Sequence, residues 1–208
     1  MTKVIMKGPF AGLSKKSGEM VLYVRNGKTY LRKLPAKPNG RQPSEKQKLV
    51  RQRFGFVQDM VKRNVELAHL GFRAYAGREC KIFASSLLAV SAFNGERFEP
   101  KMPAIKFSYG KLRPRFHLRL ENTDGQLNVG WGAPEKQNEH QLVVILAART
   151  GAINWAICPL SKKACRLPLH KNAENYLYAF TTDAAANDSS KTVYFGHMKK
   201  GGSKWISD

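Results

Sequence analysis

The sequence predicts an α+β fold that is mostly β: an N-terminal β-hairpin and helices, followed by an antiparallel β-sandwich of immunoglobulin or fibronectin type III character. Three observations predict it. Two segments, "EMVLYVR" (Glu19–Arg25) and "TYLRK" (Thr29–Lys33), flank Asn26-Gly27, a dipeptide that readily takes the two positive-φ positions of a type I′ turn. Apolar residues then recur at steps of three and four through Val50, Phe54, Val57, Val61, Val65 and Ala68, the stripe of an amphipathic helix. From Ile105 the texture changes to about seven short segments separated by turn signals, the spacing of a sandwich.

After the hairpin, "LPAKPNGRQP" reads as a loop, because Pro35, Pro38 and Pro43 cannot donate backbone hydrogen bonds and Gly40 adds a bend. Ser44 with Gln47 three residues on gives the pattern of a capping box at a helix start. Lys48, Lys62 and Arg63 point away from the apolar stripe, and Arg51 and Arg53 flank it. Gly55 weakens this helix by roughly 1 kcal/mol relative to alanine without breaking it. "KIFASSLLAVSAF" (Lys81–Phe93) predicts a second, shorter helix, and "NGERFEPKMP" a connector. The strand candidates are "IKFSY", "RFHLRLE", "QLNVGWG", "QLVVILAAR", "NWAICPL", "YLYAFTT" and "KTVYFG", with turns at Thr123-Asp124-Gly125 and Thr150-Gly151.

Leu127, Val129 and Trp131 alternate inward on one candidate strand, and Phe116, Leu118 and Leu120 on another. The run "LVVILAA" (Leu142–Ala148) suits a buried strand. Tyr176 and Tyr178 are candidates for the corner tyrosine of such sandwiches, and equally for core or surface aromatics. No fixed-period repeat is visible, which disfavours a solenoid or propeller. The expected organisation is a basic hairpin-and-helix module over residues 1–98 and an Ig-like sandwich over 99–208.

At 208 residues, 42% apolar and 25% charged, the chain excludes wholesale disorder. The outlier is charge: 36 basic against 15 acidic residues, a net +21. A charge that large repels itself unless a polyanion or an acidic partner neutralises it, although a soluble lysine-rich domain also fits. Residues 1–53 carry 14 Lys/Arg against Glu19 and Glu45, so polyanion contact is expected there. The N-terminus lacks a signal-peptide core, and no run approaches the roughly 18 apolar residues of a membrane helix. A cytoplasmic or virion setting without a membrane partner is the expectation. Cys80, Cys158 and Cys165 form no Cys-x-x-Cys pair; a hairpin bridge between the last two is open, but the odd count favours reduced, buried thiols.

Gly18, Val21, Gly27, Lys28, Arg32, Pro35 and Asn39, followed by Ser44, Gln47, Arg51 and Phe54, form an ordered motif. It resembles an uncharacterised, mostly Bacteroidetes family carried as a domain of unknown function. The pattern there is a hairpin with glycine and lysine, then Arg, Pro and Asn-Pro-x-Thr-x-x-Gln-x-x-x-Arg-x-x-Phe, then helices and a sandwich-like C-terminal half. The likeness covers residues 12–54, and Pro43 directly before Ser44 departs from it. The same segment is similar to small phage-encoded, virion-associated proteins. Neither resemblance implies an activity.

Catalytic signatures are missing. "GPFAGLSKKSG" is no phosphate loop, because Ser14 rather than glycine precedes Lys15; it reads as a basic lead-in to the hairpin. Glu66 and His69 lie three apart with no second such pair, and no Gly-x-Ser-x-Gly or His-Glu-x-x-His occurs. Close carboxylates such as Glu96 with Glu99 and Glu135 with Glu139 sit in connectors. No catalytic residue, metal or cofactor is expected, and the chain reads as a non-enzyme.

Binding remains. The candidate polyanion contacts are Lys15, Lys16, Arg25, Lys28, Arg32, Lys33, Lys37, Arg41, Lys46, Lys48 and Arg53. Tyr23, Tyr30 and Phe54 among them suit single-stranded nucleic acid, although local packing explains the same aromatics. Gly27, Ser44, Gln47, Arg51 and Phe54 read as a structural joint. The function expected is a structural or assembly protein, a phage virion or mobile-element component, anchored through its basic module. Its partners would be other protein subunits, in a homo-oligomer or larger assembly. The alternative is a sequence-nonspecific nucleic-acid-binding protein.

Overall fold

The computed structural model describes residues 4–6, 15–17, 20–25, 28–34, 42–113, 116–123, 125–132, 140–183, 185, 187–199 and 205–206. The chain divides into two compact units, residues 1–44 and 45–208.

In the first unit, β1 (Val4–Met6), β2 (Lys15–Ser17), β3 (Met20–Arg25) and β4 (Lys28–Lys33) form an antiparallel sheet in the order β1-β4-β3-β2. The expected hairpin is there: β3 and β4 pair with Tyr23 opposite Tyr30 and Arg25 opposite Lys28. The Asn26-Gly27 turn itself lies outside the described residues. The stretch read as a basic lead-in instead supplies β2, which pairs Lys16 with Val21. The unit is one four-stranded sheet, and on its central strands β3 and β4 only Thr29 is buried.

The second unit begins with α1 (Glu45–Arg63), α2 (Val65–Gly71) and α3 (Glu79–Val90). The expected single helix is broken at Asn64, whose buried side-chain amide donates to the Met60 carbonyl at 2.8 Å. That bond competes with continuation of the helix. The apolar stripe also differs in phase. Val57, Met60 and Val61 are buried, but Val50 and Phe54 are 57% and 51% exposed. Arg53 turns inward in their place and donates to the Leu88 carbonyl of α3. A long arginine stem packs as well as an apolar side chain when its head finds an acceptor. The end of the second predicted helix becomes β5 (Ser91–Phe93), and the predicted connector becomes β6 (Phe98–Pro100), the two pairing around Asn94. Asn94 caps that turn by accepting from the N–H groups of Glu96 and Arg97, each at 2.9 Å.

Seven further strands make the sandwich: β7 (His117–Thr123), β8 (Gln126–Gly132), β9 (His140–Ala148), β10 (Ile153–Pro159), β11 (Ala164–Pro168), β12 (Asn175–Asp183) and β13 (Val193–Met198). They form a three-stranded sheet, β11-β8-β7, and a four-stranded sheet, β10-β9-β12-β13, in which every pairing is antiparallel. Lettered in sequence, that is A-B-E against C′-C-F-G, the fibronectin-III-like strand order. Two members differ from expectation. "IKFSY" is no strand, because the N–H groups of Phe107 and Ser108 go to the Thr192 hydroxyl at 2.9 and 2.8 Å rather than to a ladder. The seventh strand is β11, "ACRLP".

The central strands of the four-stranded sheet, β9 and β12, are covered on both faces. Leu142, Val144, Leu146, Leu177 and Ala179 pack with Leu127, Val129, Trp131 and Leu167 of the other sheet. Val143, Ile145, Ala147, Tyr176, Tyr178 and Phe180 face the opposite way, into a core with Val57, Met60, Leu67, Phe72, Phe83, Leu87 and Phe107. The unbroken run "LVVILAA" follows from this, since a strand buried on both faces needs no polar alternation. The chain therefore divides at 44/45 and not at 98/99: the helices are the outer layer of the sandwich.

The corner tyrosine is also reassigned. Tyr178 sits in the helix-facing core and donates to the Met102 carbonyl. The corner before β12 is tied by Asn175, which accepts from His170 N at 2.8 Å and donates to the carbonyls of His170 and Ala173 at 3.2 and 3.1 Å.

Cys158 and Cys165 are reduced and buried. Burial, with the neighbouring thiol, pushes Cys165 up to about 12. An unfolded thiol loses its proton near its ordinary value of about 8.5. Between these values the unfolded chain binds fewer protons than the folded one, so stability falls as pH rises. Burial raises Tyr178 too, which adds the same sign at still higher pH. Melting temperatures are therefore expected to drop between about pH 8.5 and about pH 11. Cys165→Ala should make that slope shallower, and a flat profile for the unaltered chain would contradict the argument.

Candidate polyanion interface

Strand alternation places Val21, Tyr23 and Arg25 of β3 on one face of the N-terminal sheet with Lys28, Tyr30 and Arg32 of β4. The two tyrosines are a directly opposed cross-strand pair, with ring centroids 5.4 Å apart and planes 21° from parallel. The Arg32 guanidinium carbon lies 5.5 Å from the Tyr23 centroid, in the range of a cation–π contact. The opposite face carries Met20, Leu22, Val24 and Leu31, with Met20 and Val24 39% and 40% exposed.

The structure separates the eleven cations expected at a polyanion contact. Arg25, Lys28 and Arg32 share the tyrosine face, whereas Lys33, opposite Met20, belongs to the other. Lys15 and Lys16 lie on β2, where the backbone alone is described. Lys37 and Arg41 fall outside the described residues, as does Gly27 of the structural joint. Lys46 is exposed on α1, Lys48 pairs with Glu45 at 2.7 Å, and Arg53 is spent on Leu88. Of the remaining joint residues, Ser44 immediately precedes α1, and Gln47, Arg51 and Phe54 are all exposed on it. Phe54 is therefore a surface residue, not the core contact the stripe implied.

Chemically, the tyrosine face offers flat aromatic surface beside three fixed positive charges. It suits a partner that combines negative charge with planar groups.

Elsewhere the polar clusters are self-contained. Tyr176 accepts from Arg149 Nε at 2.9 Å and donates to Glu174 Oε2 at 2.6 Å, and Arg149 lies 3.3 Å from the same carboxylate. Burial and the Glu174 bond raise the Tyr176 hydroxyl, and the bond to Tyr176 raises Arg149. Nothing in the sequence signals this clasp, because Arg149 follows β9 and Glu174 precedes β12, twenty-five residues further on. His69 lies 3.8 Å from Glu79 rather than acting with Glu66. Among the described residues no three His, Cys, Asp or Glu side chains converge on a metal-sized site, and no helix is long and apolar enough to cross a membrane.

No protein-family model and no curated protein matches the chain. Among solved structures it is similar to the fn3 domain of the human collagen alpha-1(XX) chain. The identity is 21%, the match covers 49% of this chain and 95% of that one, and the TM-score is 0.34. The strand order, not this likeness, carries the description of the fold.

Proposed function

We propose that the protein is a non-enzymatic structural or assembly protein, a virion or mobile-element component, whose basic N-terminal unit anchors it to a partner. One observation carries this reading: the N-terminal unit is one four-stranded sheet on whose central strands, β3 and β4, only Thr29 is buried. A sheet this small gains independent stability by packing one face on something else. Exposed Val50 and Phe54, one turn apart on α1, add an apolar patch of the kind that marks a contact surface. Light scattering of the purified chain is expected to show a defined oligomer. Replacing exposed apolar residues, Val24→Glu with Phe54→Glu, should dissociate it while leaving the melting temperature of the body nearly unchanged. A lone monomer at all concentrations, with no incorporation into a larger particle, would count decisively against assembly.

The second reading, nonspecific nucleic-acid binding, is favoured by the Tyr23–Tyr30 pair with Arg25, Lys28 and Arg32 on one face. Titration with generic DNA and RNA should then show steep salt dependence. Changing all three cations to glutamate should reduce the log–log salt slope by about two to three.

A further inference from the structure

A second aromatic and basic surface lies within residues 45–208, built from three separated segments. Tyr75 follows α2, residues 109–113 cross beside it, and Lys191 precedes β13. Together they line a groove of about 560 Å³, within the range of small-molecule sites. The Tyr75 and Tyr109 rings are 6.1 Å apart and tilted 44°, leaving Tyr109 44% exposed. Lys191 Nζ stands 6.0 Å from the Tyr109 centroid, and Lys111 and Arg113 complete a set of three cations.

The walls are held in place. Tyr109 N and Ser189 Oγ both donate to the Gly71 carbonyl at 2.9 Å, and Leu112 N donates to Ser189 O at 3.1 Å. At Gly110 a Cβ would overlap the Ser189 carbonyl oxygen, so only glycine lets these two loops touch. Asp188 sits in the same wall. Its carboxylate already accepts from Ser189 N at 2.8 Å and Lys111 N at 3.3 Å, and its single charge leaves the groove net positive. A binding surface fixed before the ligand arrives loses less entropy on association.

We propose that this groove binds a nucleotide unit, the base against Tyr109 and Tyr75 and the phosphate on Lys111, Arg113 and Lys191. A bare anion would make no use of two tyrosines, and an apolar ligand none of three cations. In a strand, the unit must be unpaired, because a duplex hides the faces of its bases. The source is either a free nucleotide or a single strand. The site is independent of the N-terminal tyrosine face and stands whether or not that face binds nucleic acid.

The test uses the full chain with a 5-iodouracil-substituted oligothymidylate, photocrosslinked and mapped by mass spectrometry. Adducts are expected on Tyr75 or Tyr109. Tyr109→Ala should remove them and weaken binding at this site about ten-fold, whereas Tyr109→Phe should preserve both. Competition by thymidine monophosphate would identify a free-nucleotide site, and resistance to it a strand site; both support the proposal. Adducts confined to residues 1–44, equal competition by inorganic phosphate, or unchanged binding by a correctly melting Tyr109→Ala chain would overturn it.

Discussion

Replacing Gly71 with alanine is expected to cost about 2–4 kcal/mol, enough to be read as a clear loss in urea or thermal melts. Gly71 closes α2 against the 105–110 segment. An added Cβ would overlap the Phe107 carbonyl oxygen and sit 2.9 Å from its carbonyl carbon. These are backbone atoms, so no side chain can swing aside. Phe107 is fully buried and meets Phe83 and Tyr178 at ring separations of 5.9 and 5.0 Å, so moving it disturbs the helix-facing core. The same substitution at Gly55 is the internal control. Its Cβ would meet nothing within 4 Å, and alanine there should stabilise the helix by about 1 kcal/mol. Equal effects at the two positions would refute the close-approach argument.

The second large effect concerns where the chain can be cut. A chain beginning at residue 45 is expected to unfold in one cooperative transition. A chain beginning at residue 99 should fail to fold, although it keeps every strand of the sandwich. Without the helices, Val143, Ile145, Tyr176, Tyr178 and Phe180 lose their cover. Burying each large apolar side chain contributes about 1.5–3 kcal/mol. The sum rivals the whole stability of a domain, about 5–15 kcal/mol. Cooperative melting of the 99–208 fragment would show that the helices are an appendage after all.

The sandwich was legible where one strand carries its own pattern. Leu127, Val129 and Trp131 alternate and are all buried, and the apolar run at Leu142–Ala148 lies on one of the two central strands of the four-stranded sheet. It was less legible where partners decide. "IKFSY" has good strand composition, but Thr192, more than eighty residues away, takes its amides. "ACRLP" ends in a proline and looks like a turn, yet Cys165 and Leu167 face inward from an edge. The helix phase is not legible because Arg53 looks polar, and its carbonyl acceptor on α3 is invisible in sequence. The N-terminal candidates were found because Tyr23, Tyr30 and their cations are neighbours along the chain. The groove at Tyr109 was not, because its residues come from three distant stretches.

The helix layer has a further consequence for how this molecule can change. A two-layer sandwich ordinarily keeps one outward face per sheet on which substitutions accumulate at little cost. Here the central strands β9 and β12 have no such face, so a charged residue at any position from Leu142 to Ala148 meets packed side chains. Variation is pushed onto the outer side of β7, β8 and β11, the turns and the solvent side of the helices. The sheet acts as a fixed chassis, and new specificities have to be written around it.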